Sequence, residues 1–215
     1  MTKRTYGQYC GFSRALEVVG ERWAMLIVRD LLSGPLRFTD LLNGLPGIPT
    51  NILTSRLKEL EEAGIIERHA MARASGAGVA YRMTSFGKGL EPAIDALGRW
   101  GAQTLAEPRA NEVLTQRSIM AALRATFQPK AAKGMTVSFE LHVAGFMVGA
   151  TITRGALNVT PGPLPEADLV LDPAMVLKPL LSGDLSPSDA LKKKLVTLRG
   201  DRTLLSTFVQ VFSLA

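Results

Sequence analysis

In the run GIPTNILTSRLKELEEAGIIERH, Gly47 to His69, six side chains suited to hydrogen bonding crowd into nine residues: Thr50, Asn51, Thr54, Ser55, Arg56 and Lys58. Asn offers the donor and acceptor pair that matches adenine, Arg and Lys match the acceptors of guanine, and Ser and Thr fit either. At about 100° per residue, Leu53, Leu57 and Leu60 form one apolar stripe while Asn51, Ser55, Lys58 and Glu62 lie opposite it. A helix anchored by such leucines presents its hydrophilic side to a partner, and a DNA major groove admits a helix of this kind. The same pattern also describes a surface helix with solvated charges, and Glu59, Glu61 and Glu62 would be repelled by phosphate.

The neighbouring segments hold this helix in place. Thr50 is placed to cap its start, and Gly64 supplies the left-handed residue that ends it. Strands are expected over Ile65 to Met71 and Val79 to Thr84, joined by the flexible tip Arg73-Ala74-Ser75-Gly76-Ala77-Gly78. Upstream, helices are expected from Ser13 or Arg14 to Val19, from Arg22 to Leu32 and from about Arg37 to Leu42. A last helix runs from the cap Thr84 through Leu90, Ile94, Leu97 and Trp100. The order is helix, turn, helix, wing. Arg37, near the turn, and Arg73, at the wing tip, are expected to contact backbone phosphates, which position a protein without reading sequence.

Composition limits the alternatives. A chain of 215 residues with 47% apolar and 20% charged residues has material for two packed domains. A net charge of +6 and a pI near 9.7 permit an anionic partner. The start MTKRTYGQY has no apolar core of a signal peptide, and no stretch approaches the roughly 18 apolar residues of a membrane span, so a cytoplasmic location without membrane insertion is expected. One cysteine, Cys10, excludes an internal disulfide, and two histidines, His69 and His142, leave little for a metal site. Gly-x-Ser-x-Gly, phosphate-loop and His-Glu-x-x-His motifs are absent, and Gly76-x-Gly78 sits between strands, so no enzyme and no cofactor is expected.

Past Pro108 the pattern changes. A helix is expected over Glu112 to Phe127, then strands over Val137 to Val143, Phe146 to Ile152, Ala156 to Thr160 and Ala167 to Leu171 as an antiparallel meander. Asp172-Pro173 and Ser186-Pro187 each read as a helix start, Leu195 to Leu198 as a strand rejoining the sheet, and Leu204 to Phe212 as a final helix. The fold class is therefore α+β: residues 1–108 a winged helix-turn-helix domain, and residues 109–215 a domain with an antiparallel sheet and helices on one face. Such a layer either fills its core or encloses an apolar cavity.

Two resemblances add to this reading. Gly20-Glu21-Arg22-Trp23, Gly34-Pro35 with Arg37-Phe38, Leu45-Pro46-Gly47-Ile48, Leu53 to Glu61, Gly64-Ile65-Ile66, Tyr81-Arg82-Met83-Thr84 and Gly87 resemble the HxlR-type winged helix-turn-helix regulators over about residues 9 to 101. The resemblance implies a homodimer on a palindromic operator in double-stranded DNA, with the first and last helices of the domain in the dimer contact. Pro49-Thr50 stands where that family usually has Ser-Pro or Ser-x, so base preference does not carry over. Family members often carry a cysteine at Cys10, and some sense oxidants or electrophiles with it. Arg14, one turn on, would lower its pKa if the helix has begun by then; otherwise the thiol is a small buried hydrophobe.

The second half resembles the sterol carrier protein 2 domain in Ala167 to Leu171, Leu181-Ser182-Gly183, Ser186-Pro187 with Ala190, and Leu198-Arg199-Gly200-Asp201. This implies a lipid-like or other apolar small molecule bound between sheet and helices, with Phe139, Leu177, Leu181, Phe208 and Phe212 as lining residues; each would serve equally in a dry core. A ligand-modulated DNA-binding regulator is the expected function. The alternative is a lipid-binding carrier whose winged domain contacts proteins.

Overall fold

Apolar side chains at three- and four-residue spacing build the helices of a first unit, and alternating ones build the sheet of a second. Residue contacts divide the chain into Met1–Ile94 and Asp95–Ala215. The computed structural model describes residues 5–71, 78–106, 108–173 and 176–214.

In the first unit, α1 (Gly11–Val19), α2 (Ala24–Leu31), α3 (Phe38–Gly44) and α4 (Thr50–Glu62) precede a hairpin of β2 (Ile66–Met71) and β3 (Gly78–Met83), followed by α5 (Ser85–Lys88) and the start of α6 (Glu91–Ala102). The expected helices and wing strands are present with shifted ends, except that the one helix expected from Thr84 through Trp100 is broken after Lys88 into α5, which Thr84 caps, and α6. Leu36 and Arg37 form an unexpected short strand, β1, which pairs antiparallel with β3 to give the sheet order β1-β3-β2. Ile27, Leu41, Leu53, Leu57, Leu60 and Ile66 are fully buried in one core, with Leu90 and Ile94 packed against it. That core fixes one side of α4 and leaves the other outward.

Two caps differ from expectation. Thr50 is the first helical residue of α4, and Pro49 is the cap, with no side-chain capping bond. Proline at that position cannot accept an amide hydrogen through its side chain, so the start of α4 keeps its donors uncapped. α2 begins at Ala24 because Trp23 lies in the left-handed region, φ 80° and ψ −23°.

The second unit contains the later part of α6, α7 (Gln116–Thr126), β4 (Val137–Val143), β5 (Phe146–Thr153), β6 (Ala156–Pro161), β7 (Leu169–Asp172), α8 (Leu177–Ser182), α9 (Pro187–Lys192), β8 (Thr197–Gly200) and α10 (Leu204–Val211). The division between units thus falls within α6, upstream of the sequence-based boundary at residue 108. Arg99 on α6 donates to the carbonyl oxygens of Ala125 at 2.8 Å and Phe127 at 3.1 Å. α7 starts later than Glu112, at a reciprocal cap between Thr115 and Ser118. α8 starts at Leu177, past Asp172-Pro173, while Ser186 caps α9 with proline at its first position, as expected.

The sheet order is β6-β5-β4-β7-β8, and it is mixed: β4 and β7 run parallel, which corrects the expected antiparallel sheet. The chain returns from the end of β6 to the start of β7 through residues 162–168, without a helix. Leu164 on this return donates its amide to Glu140 of β4 at 2.5 Å, and a Cβ on Gly149 of β5 would lie 3.2 Å from the Leu164 Cβ. Glycine at 149 gives the crossing segment room against the sheet. The core lies on the other sheet face, where Phe139, Leu141, Val148, Leu169 and Leu171 meet Leu123, Leu181, Phe208 and Phe212.

Candidate nucleic-acid interface

With Leu53, Leu57 and Leu60 buried, the side chains of α4 sort into outward and flanking sets. Thr50, Asn51, Thr54 and Lys58 are exposed and share one side at spacings of three, four and seven residues. Asn51 leads this stripe. The Thr54 hydroxyl donates back to the Thr50 carbonyl at 2.9 Å, and Lys58 lies 3.7 Å from Glu62 in an exposed pair.

Ser55 and Arg56 are placed differently from the sequence-based expectation. Ser55 donates to the Glu59 carboxylate at 2.9 Å, and Arg56 pairs with the other oxygen of the same carboxylate. Arg56 also reaches Glu21 at 3.4 Å, and its side chain is only 17% exposed. Both residues lie on the flank of α4, with carboxylates already accepting their hydrogen bonds. The signal for the Glu59 contacts was in the sequence as i to i+4 and i to i+3 spacing, whereas the Glu21 contact spans 35 residues.

Arg37 is half-buried in β1, and its backbone amide donates to Asp40 at 2.9 Å at the start of α3. Arg73, at the expected wing tip, lies outside the described residues. Sequence reasoning missed Arg22 and Trp23 as surface features. The Arg22 guanidinium sits over the Trp23 ring, 5.4 Å from its centroid. Both side a cleft of about 300 Å³ completed by Gly47, Pro49, Ile52 and Arg56, beside the first turn of α4. The only sequence signal was a basic residue next to an aromatic one just before a helix.

Cys10 is exposed at the cap position of α1 and carries a free thiol. The backbone amides of Ser13 and Phe12, then the Ser13 hydroxyl, hold its pKa below the usual thiol value against a small opposing effect of desolvation. Arg14, the expected cause, instead pairs with Glu17 at 2.9 Å.

The residues expected to line a ligand cavity form the core of the second unit. Phe139, Phe208 and Phe212 are fully buried and Leu181 nearly so, while Leu177 is half-buried against them. Ring centroids of Phe139 and Phe208 lie 5.3 Å apart, Phe208 and Phe212 5.0 Å, and Phe139 and Phe212 6.1 Å. These are the contact distances of packed aromatic rings. Rings packed against one another in this way match the dry-core alternative that the sequence left open.

Residues 18–109 match the family model described as HxlR-like helix-turn-helix. The HTH-type transcriptional regulator YvaP of Bacillus subtilis strain 168 is 33% identical over 92 residues, which are 43% of this chain and 84% of that protein. The HTH-type transcriptional regulator Rv3095 of Mycobacterium tuberculosis strain H37Rv is 40% identical over 108 residues, 50% of this chain and 66% of that protein. Among solved structures, the reduced form of the transcriptional regulator YodB from B. subtilis is 30% identical, aligning with 47% of this chain and all of that one at a TM-score of 0.40. The family match covers the stretch of the chain that carries the outward-facing α4, and by the identity and coverage shared with YvaP the chain belongs to the HxlR-like helix-turn-helix family.

Proposed function

We propose that the protein is a transcriptional regulator that binds double-stranded DNA as a homodimer, inserting α4 of each copy into successive major grooves of a palindromic operator. The observation that carries this reading is the exposed stripe Thr50, Asn51, Thr54 and Lys58 on a helix whose opposite side is locked in the core. Asn51 is the base reader, and Lys58 and Arg73 contribute charge toward the backbone. The names of the relatives support the same reading. A regulator of this kind acts in the cytoplasm, and among the described residues no helix is long and apolar enough to cross a membrane.

Homodimer formation is supported by apolar side chains left uncovered on α1 and α6 and just before α1. Phe12 on α1 is 73% exposed and Trp100 on α6 is 67% exposed, with Tyr9 and Leu97 also open to solvent. Burying large aromatic groups like these at a symmetric contact removes apolar area from water. In the second unit, an apolar ligand that modulates DNA binding would have to displace Phe208 or Phe212, which fill the place between sheet and α10. This part of the reading rests on the resemblance described above.

The test is a mobility-shift titration of the full chain with DNA from upstream of its own gene, repeated over a salt series. Binding that weakens steeply as salt rises, and that exceeds binding to random duplex of equal length, supports the reading. Affinity independent of sequence and salt overturns it.

A further inference from the structure

The recognition side of α4 leaves one cationic feature unassigned: the Arg22-Trp23 pair beside its first turn. We propose that Arg22, positioned over the Trp23 ring, is an anchor for a phosphodiester of the DNA backbone flanking the groove that α4 enters. This rests on the DNA-binding reading above.

Four observations converge on it. First, of the two guanidinium groups in the cleft, Arg56 is taken by Glu59 and Glu21, whereas Arg22 is exposed and makes no ion pair among the described residues. Its charge is the one left to an outside anion. Second, the ring beneath it, 5.4 Å from the guanidinium carbon, restricts the side chain, so less conformational freedom is lost when it meets a phosphate.

Third, the cleft is walled by Pro49 and Ile52, next to the exposed Thr50 and Asn51 at the same end of α4. A helix about 10–12 Å across fills a major groove about 12 Å wide, so a cation on the helix flank faces the groove wall, where phosphates run. Fourth, Trp23 holds φ at 80°, a conformation that a bulky residue adopts only under constraint from its surroundings. Such outliers gather where a binding geometry is set in advance, and here the outlier, Trp23, is the residue whose ring lies beneath the Arg22 guanidinium. A phosphodiester carries one negative charge shared by two non-bridging oxygen acceptors, which a guanidinium matches with two parallel donors.

The experiment is an anisotropy titration of wild-type, Arg22→Ala and Arg22→Lys full-length chains with an upstream fragment and a random duplex of equal length, over a sodium chloride series. A backbone anchor predicts that Arg22→Ala lowers the slope of log affinity against log salt by about 1, by the same amount on both duplexes. Arg22→Lys keeps the charge and the slope while losing part of the affinity. An unchanged slope in Arg22→Ala, with wild-type binding intact, overturns the anchor and leaves the DNA-binding reading standing. Loss confined to the upstream fragment also overturns it, because Arg22 would then be reading bases. Wild-type chain that binds neither duplex removes both.

Discussion

The Ser55 hydroxyl donates to Glu59 at 2.9 Å, and the same carboxylate holds Arg56. One acidic residue therefore occupies two of the polar side chains that helical spacing alone would offer to DNA. Asn51 has no such partner on α4 and stands exposed one turn earlier.

Asn51→Ala is expected to reduce operator affinity by about 1–3 kcal/mol and to leave random-duplex affinity nearly unchanged. Ser55→Ala, losing a hydroxyl already bound within the protein, is expected to cost clearly less. Titration of both variants against the two duplexes checks this order, and a larger loss for Ser55→Ala would reverse the assignment. Arg73→Ala is expected to weaken both duplexes alike, as a backbone contact does.

Much of the first unit was legible because α4 repeats leucine at 53, 57 and 60, a period that only a helix satisfies. The wing was legible in the same way, from strand patterns around a glycine-rich tip. What was not legible depends on distance along the chain or on backbone choices without a residue signature. Glu21 meets Arg56 across 35 residues. Trp23 takes a left-handed conformation that its side chain disfavours, so its type argued for the opposite. The direction of β7 is likewise invisible to alternation, because a period of two reads the same in parallel and antiparallel strands. Buried aromatic residues on a sheet and a helix give one sequence pattern for a filled core and for a cavity, because either one needs the same apolar side chains facing inward.

The Cys10 thiol is expected to ionise at lower pH than a free cysteine, since the amides of Ser13 and Phe12 favour the thiolate. Alkylation of the native chain by iodoacetamide over a pH series measures this, with Cys10→Ser as the blank. The midpoint should fall below that of the unfolded chain. Arg14→Ala should leave the midpoint in place, because Arg14 is engaged with Glu17. A midpoint that follows Arg14 would return the cause to the side chain first expected.

Glu140 gives the second unit an acid-sensitive contact. Burial alone would raise its carboxyl, but the hydrogen bond from His142 at 2.5 Å, the Leu164 amide and the charges of His142 and Arg199 outweigh burial and hold it below the usual carboxylate value. A carboxyl lowered in the folded state contributes stability that is fully present above its unfolded pKa, about 4.3, and is lost as pH falls through the folded value. Urea unfolding of wild type should therefore lose stability as pH drops below about 4.3. Glu140→Gln, with no proton to gain, should be less stable at neutral pH and flatter in that window. Equal slopes for the two chains would remove Glu140 from the acid response.

Phe208 decides how the second unit uses its aromatic cluster. Its side chain is fully buried between Phe139 at 5.3 Å and Phe212 at 5.0 Å. In a filled core, Phe208→Ala deletes a ring that its neighbours cannot replace, and the cost is about 3–5 kcal/mol. Leu177→Ala, at a half-buried position on the margin of the same cluster, should cost less. If the rings instead line a space that opens in solution, truncating Phe208 enlarges a void that already exists, and the loss falls toward the transfer cost of the ring alone. Urea unfolding of both variants distinguishes the two, and adding a fluorescent fatty acid to Phe208→Ala extends the test. A filled core predicts that the probe binds the truncated chain and not the wild type, because only the variant has room for it. Wild-type binding at the same affinity would mean that the sheet and α10 part readily enough to admit a ligand past intact rings.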